Sequence, residues 1–444
     1  MASNGILKLN DLNVRSNPTV WSHDPSMMWD LKTRRYYSYS TDVFRPGSGL
    51  TEKIGIPVKS SEDLVNFRYE GTVLSPKAVA EGRNNWGYPD TAGFWAPYVE
   101  YEHGEYRMYY SATRAFGSSE SRIWLAVSDS PLGPFENRGT VADTWGTDDT
   151  YPNAIDAHVV HEGENSYLIY GSFFGGIFIK ELDGKTGLAR SGNPKDLGTC
   201  ISKEPEWSSL GGPEGASVTY VPETGYYYLF QSYGWLGDNY DIRVGRSKNP
   251  MGPYVDPEGK NLAGESLGLK LAGSYRFKAE NPYAVQDGEW SFGGFRGPGH
   301  GVPFYDPVSQ RWFFVHHIRD GAPNLCVHDE KEDRDSYQVH YMMIRPMFFR
   351  DGWPVFGPEP YQKENFEPVS PEEVQGVWEL IVLDDKDNKI KDSVEIELTA
   401  ESEYLRKGII YKCFDFENQK EVSVVSGIND SGLAYWGKFL YSTV

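Results

Sequence analysis

The stretch YRMYYSA (106–112), IWLAVSDS (123–130) and PLGPF (131–135) decides the fold. An aromatic strand leads to a more polar strand ending in Ser, and a Gly-Pro-aromatic turn closes the unit. The same order returns in YYYLFQSY (226–233), DIRVGRSK (241–248) and NPMGPY (249–254). Weaker copies are RRYYSYS (34–40) with IGIPVKSSEDLVNF (54–67), and SYLIYGSFFGGIFIKEL (166–182). A further copy is RWFFVHHI (311–318) with YQVHYMMIRPMFF (337–349). Repetition of short strands between Gly and Pro turns marks an all-β repeat architecture.

Each copy is preceded by a segment able to form a further, innermost strand. These are HDPSMMWD (23–30), FWAPYVEY (94–101), AIDAHVVHE (154–162), PEGASVTYV (213–221) and GHGVPFYD (299–306). Five such heads, each opening a unit of about four strands, predict a five-bladed β-propeller. A generic sandwich or barrel is the competing reading, but a sandwich lacks this repetition. The Pro- and Glu-rich run FGPEPYQKENFEPVSPEE (356–373) reads as a linker. Beyond it VWELIVL (377–383), SVEIELT (393–399), GIIYKCF (408–414), EVSVVSG (421–427) and AYWGKFLY (434–441) read as strands. The expected organisation is a propeller over residues 1–360 and a small C-terminal β-barrel or sandwich over 361–444.

Composition narrows the partners. The 444 residues include 30 Tyr, 22 Phe and 13 Trp, which favour strands and offer faces for sugar rings. The net charge of −20, from 43 basic and 63 acidic residues, argues against nucleic acid and against an acidic polysaccharide. A neutral polysaccharide is compatible. Three separated cysteines without a CxxC pair exclude a disulfide framework and a thiolate zinc site. No apolar run approaches the ~20 residues of a membrane span. The opening MASNGILKLND (1–11) has no signal-peptide core.

In a propeller the innermost strands converge on one axis, so residues at their starts meet however distant they are in sequence. The polar residues near the five starts are Asp24, Asp156, Glu214 and His300, with Trp95 where the second head has none. Hydrolysis of a glycosidic bond needs one carboxyl to protonate the leaving oxygen and another to activate water or attack carbon. Crowded carboxyls push their pKa values apart, so that one stays protonated near neutrality. Any one of these acids alone reads more simply as a turn residue. Three at equivalent repeat positions favour a shared pocket.

With these motifs in place, the chain resembles glycoside hydrolase family 43, and within it the α-1,5-L-arabinanases. The resemblance rests on His23-Asp24-Pro25-Ser26, Trp95-Ala96-Pro97, Asn153-Ala154-Ile155-Asp156 and Tyr170-Gly171-Ser172-Phe173-Phe174-Gly175-Gly176-Ile177. It continues through Gly212-Pro213-Glu214-Gly215, Arg246-Ser247 and Gly297-Pro298-Gly299-His300, and spans roughly residues 14–350. It implies inversion, with Asp24 as general base, Glu214 as general acid, and Asp156 tuning and orienting the acid. It also implies a calcium ion near His300, held mainly by water because calcium prefers oxygen ligands. His316 and His317 are read as packing residues. Phe94 and Trp95 are expected at the funnel mouth, with polar substrate contacts from Asn153, Ser172 and Arg296.

The implied substrate is arabinan, the side chain of pectin, cut internally by a monomer that is secreted or periplasmic; a cytoplasmic location stays open. The alternatives are an exo-acting α-L-arabinofuranosidase or β-xylosidase on the same scaffold, and a non-catalytic sugar-binding propeller. Two features depart from the family pattern. Ala157 stands where Pro often follows the middle Asp, and the long stretch 255–297 reshapes the expected groove rim.

Overall fold

The computed structural model describes residues 18–42, 55–83, 93–148, 150–237, 239–278, 294–320, 326–329, 334–338, 340–384, 386–416 and 418–443. Residues 279–293, within the stretch expected to reshape the rim, lie outside the described residues. The chain is all-β, with short helices at Pro76–Arg83 and Glu403–Lys407.

Four antiparallel four-stranded sheets follow one another, each with its strands in chain order. The first is Ser26–Asp30, Arg35–Tyr39, Pro57–Ser61 and Phe67–Thr72. The second is Trp95–Glu102, Glu105–Thr113, Ser121–Ser128 and Glu136–Asp143. The third is His158–Glu162, Asn165–Tyr170, Ile177–Leu182 and Thr199–Ser202. The fourth is Glu214–Val221, Tyr226–Tyr233, Asp241–Ser247 and Leu269–Ala272. The fifth repeats the pattern with Phe295–Asp306, Arg311–Asp320, His340–Arg350 and Trp353–Phe356. The five expected heads all open the first strand of a sheet.

Second strands such as Glu105–Thr113 and Tyr226–Tyr233 are buried on both faces. That is why they read as continuous aromatic runs rather than as alternating ones. The sheets pack in a cycle. Tyr37 and Met28 of the first meet Val99 and Tyr110 of the second. Tyr109 and Leu125 of the second meet Val159 and Leu168 of the third. Ile169 and Ile179 of the third meet Val218 and Leu229 of the fourth. Phe230 and Val244 of the fourth meet Phe314 and Met343 of the fifth. Phe304 and Val315 of the fifth return to Met27 and Tyr36 of the first. The chain start adds to this last junction, because Trp21 N donates to His340 O and Met342 N donates to Thr19 O, both at 2.9 Å.

The five strands expected near the C-terminus form one antiparallel sheet, ordered Val394–Leu398, Gly376–Val382, Ala434–Ser442, Lys420–Ile428 and Ile409–Asp415. This sheet is docked on the fifth. Ile381, Leu383 and Trp436 share a core with Phe356 and Tyr275, and Trp436 Nε1 donates to Phe356 O at 2.8 Å. Lys438 lies buried between Glu359 (2.7 Å) and Asp415 (3.2 Å). Lys391–Asp392 runs parallel to Tyr275–Arg276 and extends the fifth sheet. The segment read as a linker is therefore packed. Tyr361 N bonds Ile344 O at 2.8 Å, and Val369 N bonds Ile410 O at 3.1 Å. Its Pro and Glu content signals a non-repeating path rather than a free one.

Candidate active site

The heads of the five sheets share one backbone feature. Asp24, Ala96, Asp156, Gly215 and His300 have φ of +49°, +43°, +63°, +58° and +43°. For a residue with a side chain the left-handed region costs of order 1–3 kcal/mol and persists where surroundings impose it, often at functional sites. These five are the true repeat equivalents. Glu214 and Trp95 stand one residue earlier, so the expected equivalence of three acids holds for Asp24 and Asp156 but not for Glu214. The offset aims the longer Glu side chain from the neighbouring backbone position.

A ring of side chains ties the heads together, each sent from the end of a second strand to the next sheet's head. Thr41 Oγ1 accepts from Ala96 N at 2.9 Å, and Ser111 Oγ accepts from Asp156 N at 3.2 Å. Ser172 Oγ donates to Glu214 Oε2 at 2.7 Å. Ser232 Oγ accepts from His300 N at 3.0 Å, and His317 Nδ1 accepts from Asp24 N at 3.3 Å, which closes the ring. Gly215 N, whose position in the ring Ser172 leaves unserved, donates to Asp156 Oδ2 at 3.0 Å. Ser172, expected to touch substrate, is buried and donates to the carboxyl of Glu214.

The three carboxyls thus lie in three different settings. Asp24 Oδ1 meets His23 Nδ1 at 2.8 Å and His300 Nδ1 at 3.1 Å, and Oδ2 accepts from Thr41 Oγ1 at 2.6 Å. Burial alone would raise its pKa, but His23 and His300 outweigh burial and hold it well below the usual carboxylate range. Asp156 is pushed up to about 7 by burial, against the pull of His300 and with the charges of Glu214 and Asp24 adding to the rise. Glu214 is also raised by burial, although Ser172 and Tyr240, the latter donating to Oε1 at 2.7 Å, oppose the rise. Burial would lower His300, yet Asp24 and Asp156 carry it up to about 9, so it is a cation between two acids. The arrangement holds one carboxyl well below the usual carboxylate range beside two that are raised above it, the inequality that paired acid–base work on a glycosidic bond requires.

Behind Asp24, His23 Nε2 lies 3.1 Å from Arg319 Nη2, and its ring stacks on His317 with centroids 3.8 Å apart. His23, Asp24 and His317 are close enough to suggest a metal site. The stack argues against one, because a lone pair lies in its ring plane and two planes stacked this way share no ion position. The geometry serves hydrogen bonding instead: Arg319 holds His23, and His23 donates to Asp24. His317 therefore belongs to the site, contrary to its reading as packing. His316 does pack, bonding Arg345 at 3.2 Å.

Trp95 is partly exposed and meets Phe116, which meets Trp235 across the mouth from the fourth sheet; Phe116 and Trp235 are exposed. Phe94 does not line the mouth. It is fully buried against Tyr110 and beside Gly82, because successive strand residues point to opposite faces and Trp95 takes the open one. Asn153 is buried, with Oδ1 lacking a partner among the described residues. Arg296 sits four residues before His300 on the same strand, opposite Arg319. Thr41, Ser111, Ser232, Tyr240, His23 and Arg319 were not singled out by role. A polar residue ending each aromatic second strand was the visible signal for three of them.

The family model for glycosyl hydrolases family 43 matches residues 16–354. The chain belongs to that family. Among curated relatives, "Extracellular endo-alpha-(1->5)-L-arabinanase 2" of Bacillus subtilis (strain 168) is 32% identical, over 94% of this chain and 92% of its own. "Extracellular endo-alpha-(1->5)-L-arabinanase" of Thermotoga petrophila is 28% identical, over 94% and 93%. A crystal structure of endo-1,5-alpha-L-arabinanase from Thermotoga petrophila RKU-1 superimposes with a TM-score of 0.77 at 28% identity, covering 95% of this chain and 99% of that one. The family 43 member is thus a glycoside hydrolase whose relatives match it through the C-terminal sheet as well.

Proposed function

We propose that this glycoside hydrolase cuts α-1,5-linked L-arabinofuranosyl chains, the arabinan of pectin, internally and with inversion. The observation that carries the reading is the unequal setting of Asp24 and Glu214 in one buried cluster: two histidine nitrogens meet Asp24, whereas only neutral hydroxyls meet Glu214. Asp24, anionic and held by Thr41, His23 and His300, takes a proton from water as its oxygen attacks C1. Glu214 gives its proton to the departing O5, so the C1–O bond breaks with the configuration reversed. Asp156 sets the electrostatic level of the acid and fixes Gly215 beside it. The named arabinanase relatives, matched over nearly their full length, support the substrate.

The cyclic packing of five sheets and the closed ring of side chains support a five-bladed propeller over 1–360, with 361–444 as a second β domain. All parts of the cluster come from one chain, which is consistent with a monomer. That both relatives are described as extracellular supports secretion. For calcium, a water-held ion requires the cavity to open, because the space beside His300 holds about one water. His300 lines an axial cavity of ≈ 10 Å³ with Asp24, His158 and Ser26, whose buried Oγ has no partner among the described residues. An ion there would be held by water and Ser26 Oγ, with His300 facing it only once its proton is lost, and Asp24 and Asp156 would balance its charge. A bound cation would supply positive potential beside the base.

The test follows linear arabinan by chromatography and by proton NMR in the first turnovers. Mixed oligosaccharides and β-configured new ends are expected. α-configured ends exclude inversion, and release of a single short sugar from the start excludes internal cleavage. Glu214→Gln should nearly abolish hydrolysis of arabinan and spare activated aryl arabinosides. Equal losses on both would remove Glu214 as the acid.

A further inference from the structure

The C-terminal part reaches the acid through one turn. Tyr240, whose hydroxyl holds Glu214 Oε1, ends the turn that follows the second strand of the fourth sheet. Its ring is buried, stacks on His317 at 5.7 Å, and fits only because Gly299 has no side chain: a Cβ there would lie 1.8 Å from the ring. The turn is closed by Asn239, whose Oδ1 accepts from Trp235 N at 2.7 Å, and by Gly234 N on Gly211 O at 2.8 Å.

Asn388, from the C-terminal part, presses on this turn. Gly234 has φ +94°, and a Cβ on it would come 2.4 Å from Asn388 Nδ2 and 2.5 Å from Asn239 O. Asn388 is 5% exposed, and neither polar atom of its side chain has a hydrogen-bond partner among the described residues. A buried amide of this kind costs stability. Such exceptions to local rules gather at functional or strained places. The flanking backbone is firmly anchored. Lys270 Nζ donates to Asp387 O at 2.7 Å and also pairs with Asp241 (3.5 Å), the residue after Tyr240. Lys391 N bonds Ser274 O at 2.9 Å, and Ser393 N bonds Arg276 O at 2.8 Å. Ser274 Oγ in turn accepts from Gly297 N at 3.0 Å, at the start of the segment that carries His300.

We infer that segment 386–393 is a positioning element for the acid: Asn388 fixes the Gly234–Tyr240 turn, and Tyr240 fixes Glu214. The inference rests on Glu214 being the acid. Tyr240 and Asn388 are positioning residues, acting through Glu214 and not on substrate. The C-terminal part thereby contributes to turnover, and its presence in relatives of the same length has a reason beyond stability.

The experiment uses the full chain and the variants Tyr240→Phe, Asn388→Ala, Asn388→Ser and the double variant Tyr240→Phe/Asn388→Ala. Each is measured for kcat and KM on linear arabinan and on an aryl arabino-oligosaccharide with a good leaving group, with melting temperature alongside. The expected result is a kcat loss of roughly tenfold on arabinan for Tyr240→Phe and Asn388→Ala, with KM changed less than about twofold. The aryl substrate should lose much less. The double variant should be little worse than Tyr240→Phe, because both act along one path. Asn388→Ala with wild-type kcat overturns the inference, as do equal losses on both substrates while Glu214→Gln still discriminates between them. If Glu214→Gln also loses equally on both, the acid assignment fails instead. Should Asn388→Ala not fold, Asn388→Ser carries the same two readings.

Discussion

Thr41 tests whether the ring of side chains sets the chemistry as well as the shape. Its hydroxyl donates to Asp24 Oδ2 and accepts from Ala96 N. Thr41→Val keeps the volume and deletes both bonds; Thr41→Ser keeps both. A hydrogen bond to a charged acceptor contributes about 1.5–3 kcal/mol. At about 1.4 kcal/mol per pKa unit, its loss raises the Asp24 carboxyl by about 1–2 units from its depressed position. A base with a raised pKa is protonated, and so silenced, at higher pH. The acid limb of kcat/KM must therefore move to higher pH by that amount in Thr41→Val and stay in place in Thr41→Ser. The orphaned Ala96 N–H costs about 1–3 kcal/mol more, which lowers the melting temperature without moving the limb. The assay is kcat/KM on an arabino-oligosaccharide across the acid range, for protein shown by near-ultraviolet circular dichroism to be folded. A Thr41→Val limb that coincides with wild type refutes Asp24 as the base held by this ring.

Above about pH 7, where Asp156 is ionised, Asp156→Asn removes a negative charge from beside Glu214, so the acid's pKa falls and the basic limb of the pH–rate profile moves to lower pH; an unmoved or raised limb contradicts the tuning role. Chelator should lower wild-type activity and calcium restore it, while His300→Ala should respond to neither; a wild type indifferent to chelator removes the ion. Lys438→Met leaves Glu359 and Asp415 buried without their cation, and a loss of about 3–5 kcal/mol is expected by denaturant titration; an unchanged midpoint would mean that this contact does not secure the C-terminal sheet. In a crystal structure with bound sugar, the carboxyls of Asp24 and Glu214 should lie roughly 6.5–9.5 Å apart, and about 5 Å would indicate retention instead.

The sheets were legible because each unit repeats locally: a head, an aromatic strand buried on both faces, a polar strand and a turn. The heads marked where carboxyls converge, so Asp24, Asp156, Glu214 and His300 could be named before any coordinate was known. What stayed hidden was register and non-local contact. Whether Glu214 or Gly215 is the repeat equivalent depends on one residue of offset, which backbone φ reveals and residue type does not. Phe94 and Trp95 are adjacent aromatics, and only the strand's facing separates the core residue from the mouth residue. Arg319 behind His23, and Asn388 against Gly234, join segments far apart in the chain, where a single sequence gives no pairing signal.

The site also shows how a repeat can produce asymmetry. One backbone conformation at the sheet heads carries Asp, Ala, Asp, Gly and His in turn. With identical acids at all five, mutual repulsion would keep most of them protonated, and no acid–base pair would be distinguished. Ala96 and Gly215 empty two positions. His300 supplies a cation that, with the N–H of His23, keeps Asp24 ionised. Gly215 lets the neighbouring Glu214 turn toward Ser172 and Tyr240, and a Cβ there would meet the backbone and ring of His300 at about 3 Å. The acid is thus drawn away from the frame that holds the base. The division between a carboxyl held low in pKa and one held high follows from which repeat positions are filled, which are empty, and which cation lies between them.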